Sequence, residues 1–529
     1  MFDRIKASAA PRKMLALLTA LTTALGPSVS PAFGASQAPE KKTPIQHIVV
    51  IFNENISFDH YFGTYPVALN PKGEPPFHAR RGTPTVNGLN NALLTFNPNL
   101  NPANGTAASN PFRLDRSQAV TTDQDHDYTA EQQAFDAGLM DLFPTGTGGG
   151  SNEVMGYFDG NTTTALWYYA QAYSMSDNSY GTTFGPSTPG VLNLVSGQTN
   201  GVTSTLNGTG DEVNGGSDGS LTMIGDADPI GDVCSNTTRD QGQMGGKNIG
   251  DLLNAAGVTW GGFMGGFNLK VKNPNGTTGC ARSSTGLAGT TNDYIPHHSL
   301  FGYYASTANP QHTRPASISE IGHDGPANHQ YDIEDFFAAV GQGNFPAVSF
   351  LKAPAYQDGH AGYSDPIDEQ HFIVKLINFL QEQRDWDSTA VVIMYDDSDG
   401  WYDHQMGPIV NTSTGPADVL TGPNACGTAA NSLPGINSSN THALGRCGYG
   451  PRLPLLVISP WSKENFVDHT VTDQTSVIRF IEDNWLGGQR IGQGSFDGIA
   501  SSISQMFDFE HKRSDGRLFL DPNTGEPVR

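Results

Sequence analysis

Two acidic segments of the sequence could together hold a metal ion. The first is "VVIFNENISFDHYFG", in which an apolar run from Val49 leads directly into Glu54 and Asn55. The second is "MYDDSDGWYDH", in which Asp396 and Asp397 follow another apolar run. Adjacent aspartates at the end of a buried strand repel one another and lose solvation, so a bound divalent cation would stabilise them. Oxygen ligands of this kind suit Ca, Mg, Mn or Zn, whereas a solvated Asp/Gly-rich loop is the alternative interpretation.

A hydroxyl group in "TTFGPSTPGVLNL" could act as a nucleophile. A Gly-Pro pair precedes Ser187 and Thr188, and a Pro-Gly pair follows them. Such residues bend the chain so that a hydroxyl can stand at the start of a helix, where free amides also bind anions. A hydroxyl beside a divalent cation loses its proton more readily, although a Ser-Thr pair in a turn is also typical of a helix cap.

Histidines recur in polar, Gly/Asp-rich segments. Clustered imidazoles could bind the non-bridging oxygens of a phosphoryl group and protonate a leaving alkoxide. Any one of them, taken alone, also fits a hydrogen-bonded surface residue. The histidines in such settings are His126, His297, His298, His323, His329 and His360.

Buried strands must bring these segments together. Apolar runs bounded by turn residues occur at "HIVVIF", "FPAVSFL", "TAVVIMY" and "LPLLVIS". Their continuous hydrophobicity is typical of strands covered on both faces, as in a parallel sheet. Between two of these runs, "DEQHFIVKLINFLQEQRDW" has apolar residues at helical spacing. The sequence therefore predicts an α/β fold. Ligands collect at the carboxyl ends of strands in such sheets, so Glu54 and Asp396 should converge if their strands are near neighbours.

Composition and charge restrict the function. The 529 residues include 62 glycines and 34 prolines, which indicates one large domain with long loops. The formal charge of −23 argues against binding nucleic acid or an anionic membrane by bulk electrostatics. Basic residues before the apolar segment 14–25, and small residues after it, predict a secretory signal over residues 1–35. No later stretch approaches the roughly 20 apolar residues of a membrane helix. We therefore expect an exported protein, periplasmic or secreted, without a stable membrane anchor.

Four cysteines fit an oxidising compartment. We favour pairing neighbours along the chain, because each pair then closes one Gly/Asn/Thr-rich insertion, 197–289 or 411–450. Both insertions are expected to be elaborated loops with short strands rather than a second enzyme. The favoured pairs are Cys234 with Cys280 and Cys426 with Cys447.

Four spaced motifs together resemble one bacterial phosphoesterase family. They are "ENISFDHYFG", "GPSTPG", "YQDGHAGYSDP" and "DDSDGWYDH", in this order. The family includes non-specific phospholipases C and secreted acid phosphatases, and the resemblance extends from about residue 44 to beyond residue 485. It implies an alkaline-phosphatase-like core, a mostly parallel sheet flanked by helices. The implied catalytic domain is 44–510, followed by a C-terminal tail, 511–529.

The resemblance also implies roles for individual residues. It implies one divalent metal ion, and its nucleophile falls on Ser187 rather than Thr188. The family usually has an arginine after the Glu-Asn pair, and Ile56 replaces it here. The implied metal ligands are Glu54, Asn55, Asp396, Asp397 and Ser187, and the phosphate-contacting histidines are His126, His298 and His360, with His297, His329 and His404 as alternatives.

These features predict a metal-dependent acid phosphatase that hydrolyses small phosphate monoesters through a phosphoserine intermediate. The first alternative is a phospholipase C acting on phosphatidylcholine-type lipids. Against it, "GPSTPG" resembles the acid phosphatase version of the motif, and the chain ends at Arg529 without the β-rich C-terminal region of longer phospholipases. The second alternative is a secreted binding protein that has kept the scaffold without catalysis. The oligomeric state stays open.

Overall fold

The computed structural model of the chain describes residues 42–216, 218–420, 426, 432–437, 442–514 and 516–528. The predicted signal segment, 1–35, lies outside the described residues. The predicted domain 44–510 and tail 511–529 lie largely within them, and their boundaries stay predictions. Within the described ranges, none of the helices combines the length and the apolar character that crossing a membrane requires.

An eight-stranded sheet forms the centre of the described chain. Across the sheet the strands are ordered β4-β3-β5-β1-β6-β7-β2-β8. Neighbours run parallel except at β7, which is antiparallel to both β6 and β2. Numbered along the chain, they are β1 (His47–Asn53), β2 (Ser174–Ser176), β3 (Trp260–Met264), β4 (Gln330–Asp332), β5 (Val348–Lys352), β6 (Thr389–Tyr395), β7 (Leu455–Ile458) and β8 (Phe466–Asp468).

Helices cover both faces of this sheet. The α-helices of the described residues are α1 (Phe58–Phe62), α2 (Asn91–Thr95), α3 (Tyr128–Phe135), α4 (Phe143–Gly146), α5 (Thr164–Ala172), α6 (Ser187–Ser196), α7 (Ile249–Ala256), α8 (Ile333–Gly341), α9 (Pro366–Glu382) and α10 (Thr475–Trp485). Val49 and Ile51 of β1 pack in one apolar cluster with α5, α8 and α9, whereas Ile48, Val50 and Phe52 pack in another with α6, α7 and α10. The predicted α/β class, with strands covered on both faces, is therefore confirmed.

The first predicted insertion, 197–289, is not wholly separate from the central sheet. Helix α7 and strand β3 lie inside this range and belong to the central layers. The described remainder of the range includes a five-stranded sheet of short strands and the first strand of a hairpin, and the bounds of the insertion stay a prediction. The five strands are Asn200–Leu206, Glu212–Asn214, Leu221–Met223, Asp228–Pro229 and Gln241–Met244, and the hairpin joins Ser283–Gly286 to Gly289–Asn292.

Both predicted disulfides are confirmed. Cys234 and Cys280 have a Cα–Cα distance of 5.2 Å, and Cys426 and Cys447 one of 5.4 Å. Cys426 and Cys447 are buried in an apolar cluster that includes Phe184, near the start of α6. The second disulfide therefore fixes part of the 411–450 insertion close to that helix.

Candidate active site

The carboxyl ends of β1, β5 and β6 meet at one edge of the sheet. Strand β1 lies between β5 and β6 and runs parallel to both. It leads into Glu54 and Asn55, β6 leads into Asp396 and Asp397, and β5 ends at Lys352. The N–H of Asn55 donates to Asp396 Oδ1 at 3.0 Å. The two acidic segments therefore converge, as their positions after buried strands predicted.

Ser187 contacts both acidic segments. It is the first residue of α6, and its Oγ donates to Glu54 Oε2 at 3.0 Å and lies 3.3 Å from Asp397 Oδ2. The close approach of this helix depends on Gly190, because a Cβ there would lie 2.5 Å from the carbonyl oxygen of Asp396. The Gly-Pro/Pro-Gly surroundings thus deliver a buried hydroxyl to the carboxylates.

The neighbouring hydroxyl has other partners. Thr188 Oγ1 lies 3.2 Å from the Tyr303 hydroxyl, and the Thr188 N–H donates to Asp226 Oδ1 at 2.9 Å. Thr188 therefore belongs to a hydrogen-bonded network beside the site, and Ser187 is the hydroxyl that contacts Glu54 and Asp397.

Asn55 links the carboxylates to the imidazoles. Its φ of 57° lies in the left-handed region, which Asn tolerates better than most residues. In the amide orientation that satisfies its neighbours, the nitrogen donates to Glu54 Oε2 and Asp396 Oδ1. The oxygen then faces the Nε2 atoms of His126 and His360, at 3.2 and 3.1 Å. Asn55 therefore presents an oxygen on the histidine side of the site.

Lys352 is a site residue that the sequence analysis did not identify. Its ammonium forms ion pairs with Glu54 Oε1 and, at 3.2 Å, with Asp396 Oδ2. Burial lowers the pKa of Lys352, but Asp396 and Glu54 outweigh it and hold the pKa above the usual lysine value. Lys352 directly follows the run "FPAVSFL". The strand-end rule that singled out Glu54 and Asp396 would have found it as well.

The buried carboxyl groups interact strongly. Burial, followed by the charge of Asp396, raises the pKa of Glu54 and that of Asp397 well above the usual range. Burial also raises the pKa of Asp358, although Lys352 opposes the rise. Asp396 differs because burial, which raises its pKa, is outweighed by the charge of Lys352 together with several hydrogen bonds, so that its pKa is lowered. Without further positive charge, these groups resist full ionisation.

This donor set fits a divalent cation. The Lys352 ammonium faces Glu54, Asp358 and Asp396, and Asp397 adds another buried carboxyl group. If all four carboxyl groups ionise, their negative charge exceeds the positive charge of Lys352, and a bound divalent ion would offset the excess. The carboxylate, amide and hydroxyl oxygens are compatible with Ca, Mg, Mn or Zn.

His126 and His360 lie on one side of Asn55. Nδ1 of His126 lies 2.8 Å from the Gln124 carbonyl oxygen, and Nδ1 of His360 lies 2.5 Å from the Ala361 carbonyl oxygen. These contacts hold each Nδ1 at the backbone. They leave the two Nε2 atoms facing Asn55.

His298 approaches Glu54 from another direction. It ends a short 3₁₀ turn, Pro296–His298, and its Nδ1 lies 3.2 Å from Glu54 Oε1 and 3.9 Å from Asp358 Oδ2. The structure therefore brings His126, His298 and His360 to the same group of residues as Ser187.

The three histidines differ in charge. Burial lowers the pKa of His126, but Asp397 and Asp399 outweigh it and raise the pKa well above the usual range. Burial lowers the pKa of His360 to about 4 and that of His298 well below its usual value. His126 is therefore the imidazolium among the three, and the other two are neutral.

The three alternative histidines have other partners, although the ring of His297 lies 4.6 Å from that of His298. His297 faces Asp228, with Nδ1 3.5 Å from its carboxylate, beside the Thr188 network. His329 stacks on Trp260 with ring centroids 4.5 Å apart. His404 pairs with Asp59 at 2.5 Å. The structure gives each of them a partner outside the group around Ser187.

Ile56 supports the site through its backbone. Its side chain is 2% exposed and packs in the apolar cluster that contains Phe58 and Phe62. Its N–H donates to the Asp397 carbonyl oxygen at 2.9 Å. The isoleucine thus fits an apolar position, and a main-chain hydrogen bond joins the loops after β1 and β6.

Glu369 is a second residue that the sequence analysis missed. This buried carboxyl group of α9 accepts hydrogen bonds from Asn53, Tyr61 and Tyr395. Asn53 and Tyr395 are the last residues of β1 and β6 and pair across the sheet. Glu369 therefore joins the two strand ends that carry the site. No pattern distinguishes it from a solvated glutamate near the start of the predicted helix.

Fold and site together define an α/β protein with a candidate metal site and a buried serine at the carboxyl edge of its sheet. The chain belongs to the Phosphoesterase family, whose sequence profile it matches over residues 45–486. The resemblance predicted from four motifs is therefore confirmed.

Its curated relatives include several bacterial phospholipases C. The chain is 26% identical to a non-hemolytic phospholipase C of Pseudomonas aeruginosa in an alignment of 455 residues that covers 83% of this chain and 54% of that protein. It is 23% identical to phospholipase C B of Mycobacterium tuberculosis over 490 residues, covering 89% of this chain and 80% of that protein. The chain thus spans about half the length of the Pseudomonas relative.

Solved structures with low similarity include murine ectonucleotide pyrophosphatase / phosphodiesterase 5, at 13% identity and a TM-score of 0.29, covering 65% of this chain and 95% of that one. Another is a protein in the alkaline phosphatase superfamily from Vibrio parahaemolyticus, at 12% identity and a TM-score of 0.28, covering 73% and 70%. Such TM-scores support no conclusion about this chain.

Proposed function

We propose that this chain is a metal-dependent phosphoric ester hydrolase that acts as an acid phosphatase on small phosphate monoesters. Membership of the Phosphoesterase family supports the reaction class. The observation that carries the proposal is the position of Ser187 Oγ, within 3.0 Å of Glu54 Oε2 and 3.3 Å of Asp397 Oδ2. A buried serine held by two candidate metal ligands is the expected arrangement for a nucleophile without an adjacent histidine base.

The proposed metal site consists of Glu54, Asn55, Asp396, Asp397 and Ser187. When bound, a divalent ion supplies positive charge that favours loss of the Ser187 proton and neutralises the phosphoryl oxygens. The chain's own contribution is to orient the hydroxyl. The start of α6 and the carboxylates of Glu54 and Asp397 fix Ser187 Oγ before substrate arrives.

In the proposed reaction, Ser187 Oγ passes its proton to the Glu54 carboxylate that it contacts and attacks phosphorus, the bond to the leaving oxygen breaks, and a phosphoserine forms. His126, the protonated imidazole, donates a proton to the leaving alkoxide. His298 and His360 line the phosphoryl group, whose negative charge would raise their pKa values and favour hydrogen bonding to its oxygens. Water then cleaves the phosphoserine and releases phosphate.

Phospholipase C activity on phosphatidylcholine-type lipids is the second candidate, which the names of the Pseudomonas and Mycobacterium relatives favour. The "GPSTPG" version of the nucleophile motif favours the acid phosphatase. Both candidates share the proposed chemistry at Ser187. They differ in whether the substrate is a monoester or a lipid diester.

We also propose that the protein is exported, to the periplasm or beyond. The two disulfides support an oxidising compartment. The basic and apolar N-terminal residues agree with this location.

A substrate panel tests the proposed function. Release of phosphate from monoesters and of phosphocholine from phosphatidylcholine vesicles should be assayed across pH, after chelation and after add-back of Ca, Mg, Mn or Zn. We expect metal-dependent monoester hydrolysis that Ser187→Ala abolishes and Thr188→Ala largely retains. Preferential lipid hydrolysis would establish the second candidate. Ligand binding without turnover of any substrate would contradict both and indicate a binding protein.

A further inference from the structure

Lys352 contacts one carboxylate oxygen of each of two candidate metal ligands, Glu54 and Asp396. Its side chain is 2% exposed, and its ammonium contacts Glu54 Oε1 and Asp396 Oδ2. The ammonium also lies 5.2 Å from the ring centroid of Phe52 on β1. A buried charge held in this way has little freedom to move away from its partners.

The carboxylate oxygens that Lys352 does not contact have different partners. Glu54 Oε2 accepts from Ser187 Oγ at 3.0 Å. Asp396 Oδ1 accepts from the main-chain N–H groups of Asn55 and Asp397 at 3.0 and 2.8 Å. Glu54 therefore presents Oε1 to the ammonium and to His298, and Oε2 to the proposed nucleophile.

Because the loops after β1 and β6 carry these carboxylates, the ammonium also fixes their relative position. Lys352 is the last residue of β5, which pairs with β1 through Leu351 and Ile51. Lys352 thus lies on a strand that contains none of the candidate metal ligands. The contact ties β5, β1 and β6 together at the point where the ion would bind.

We propose that Lys352 is a positioning residue that holds Glu54 so that Oε2, the oxygen in contact with Ser187, is the one that would face a divalent ion. This inference rests on the proposed function, since it assumes an ion at the Glu54 and Asp397 carboxylates. Without the ammonium, Glu54 Oε1 would lose its ion pair and retain His298 as a partner, and the negative charge of the site would increase. A divalent ion would then be held more tightly, and Glu54 would no longer hold Ser187 Oγ in its present position.

The test compares Lys352→Met, which keeps length and burial without charge, with Lys352→Arg, which keeps the charge. Chelator-treated protein is titrated with Mn²⁺, Ca²⁺ and Zn²⁺ separately by isothermal titration calorimetry. We expect Lys352→Met to bind the preferred ion about tenfold more tightly, because a neighbouring positive charge is gone. Its kcat at saturating ion should fall by about 100-fold, the scale of a small displacement of a catalytic group. Lys352→Arg should stay within about threefold of wild type in ion affinity.

Weaker or unchanged ion binding by folded Lys352→Met, or an unchanged kcat, would overturn the proposal. Replacing a lysine with a purely structural role would lower both the stability of the protein and its affinity for the ion. Circular dichroism establishes folding. If Lys352→Met does not fold, Lys352→Gln replaces it, with the same expectation of tighter binding. Failure of the proposed function would appear separately, as absence of ester hydrolysis by the wild type, whereas ion affinity is measured without substrate.

Discussion

Replacing Glu369 should change how the stability of the protein depends on pH. The carboxyl group is fully buried and accepts hydrogen bonds from Asn53 Nδ2 at 2.8 Å, Tyr61 OH at 3.0 Å and Tyr395 OH at 2.6 Å. Burial raises its pKa from 4.5 to about 7, although these hydrogen bonds oppose the rise. Folding therefore disfavours the ionised form of Glu369.

The size of the effect follows from that pKa. At about 1.4 kcal/mol for each pKa unit, ionised Glu369 costs the folded protein about 3 kcal/mol. Because the folded pKa lies above the unfolded one, the stability that protonated Glu369 contributes is fully present below about pH 4.5. It is lost as the pH rises to about 7. Glu369→Gln is neutral throughout and should remove this part of the pH dependence.

We expect the two unfolding curves to cross. At pH 5, Glu369→Gln should be about 1 kcal/mol less stable than wild type, because an amide replaces the carboxyl group with imperfect hydrogen bonding. At pH 8 it should be about 2 kcal/mol more stable, because no buried charge forms. Urea unfolding at several pH values measures both differences.

Two variants control this experiment. Glu369→Ala leaves the donors of Asn53, Tyr61 and Tyr395 without their acceptor and should cost at least about 3 kcal/mol at both pH values. Glu382→Gln, at the exposed end of the same helix, should leave the curve unchanged. Parallel curves for wild type and Glu369→Gln between pH 5 and 8 would refute the reasoning.

Further predictions concern the loops around the site. Burial lowers the pKa of His404, but Asp59 outweighs this effect and raises the pKa above 6.5. The pair of His404 and Asp59 therefore contributes its full stabilisation below about pH 6.5, and this contribution is lost as the pH rises through the folded pKa. His404→Ala should therefore lower the free energy of unfolding by about 1–3 kcal/mol at pH 6 and by less at pH 9; an equal loss at both would contradict this. Ile56→Arg places a charge in an apolar cluster and should cost at least about 3 kcal/mol in thermal unfolding, against about 1 kcal/mol for Ile56→Val. Equal melting temperatures for these two variants would show that the position accepts an arginine.

The parts of the site that the sequence predicted lie at the ends of strongly apolar strands. Glu54 and Asp396 follow β1 and β6, which were recognisable because continuous β-branched and apolar runs indicate buried strands. Ser187 was recognisable from the glycines and prolines around it. The class of fold followed from the same runs.

Other parts of the fold and of the site had no comparable pattern in the sequence. Strand β3 has the sequence "WGGFM", whose two glycines weaken the strand pattern, so it was assigned to an insertion. Glu369 is a single charged residue whose importance depends on partners far along the chain, whereas Lys352 could have been found from its position at the end of an apolar strand. Long-range pairing of buried charges becomes visible only when the strands and helices are in place. The antiparallel direction of β7 is likewise a property of topology, since its apolar run fits either direction.

The most direct test of the account is to find where the phosphoryl group is attached during turnover. The wild type and the Ser187→Ala and Thr188→Ala variants are mixed with a phosphate monoester, quenched in acid and digested, and the peptide carrying both residues is analysed by mass spectrometry. The account predicts a phosphoryl group on Ser187 in the wild type and in Thr188→Ala, and none in Ser187→Ala. A phosphoryl group on Thr188, or full turnover by Ser187→Ala, would contradict it.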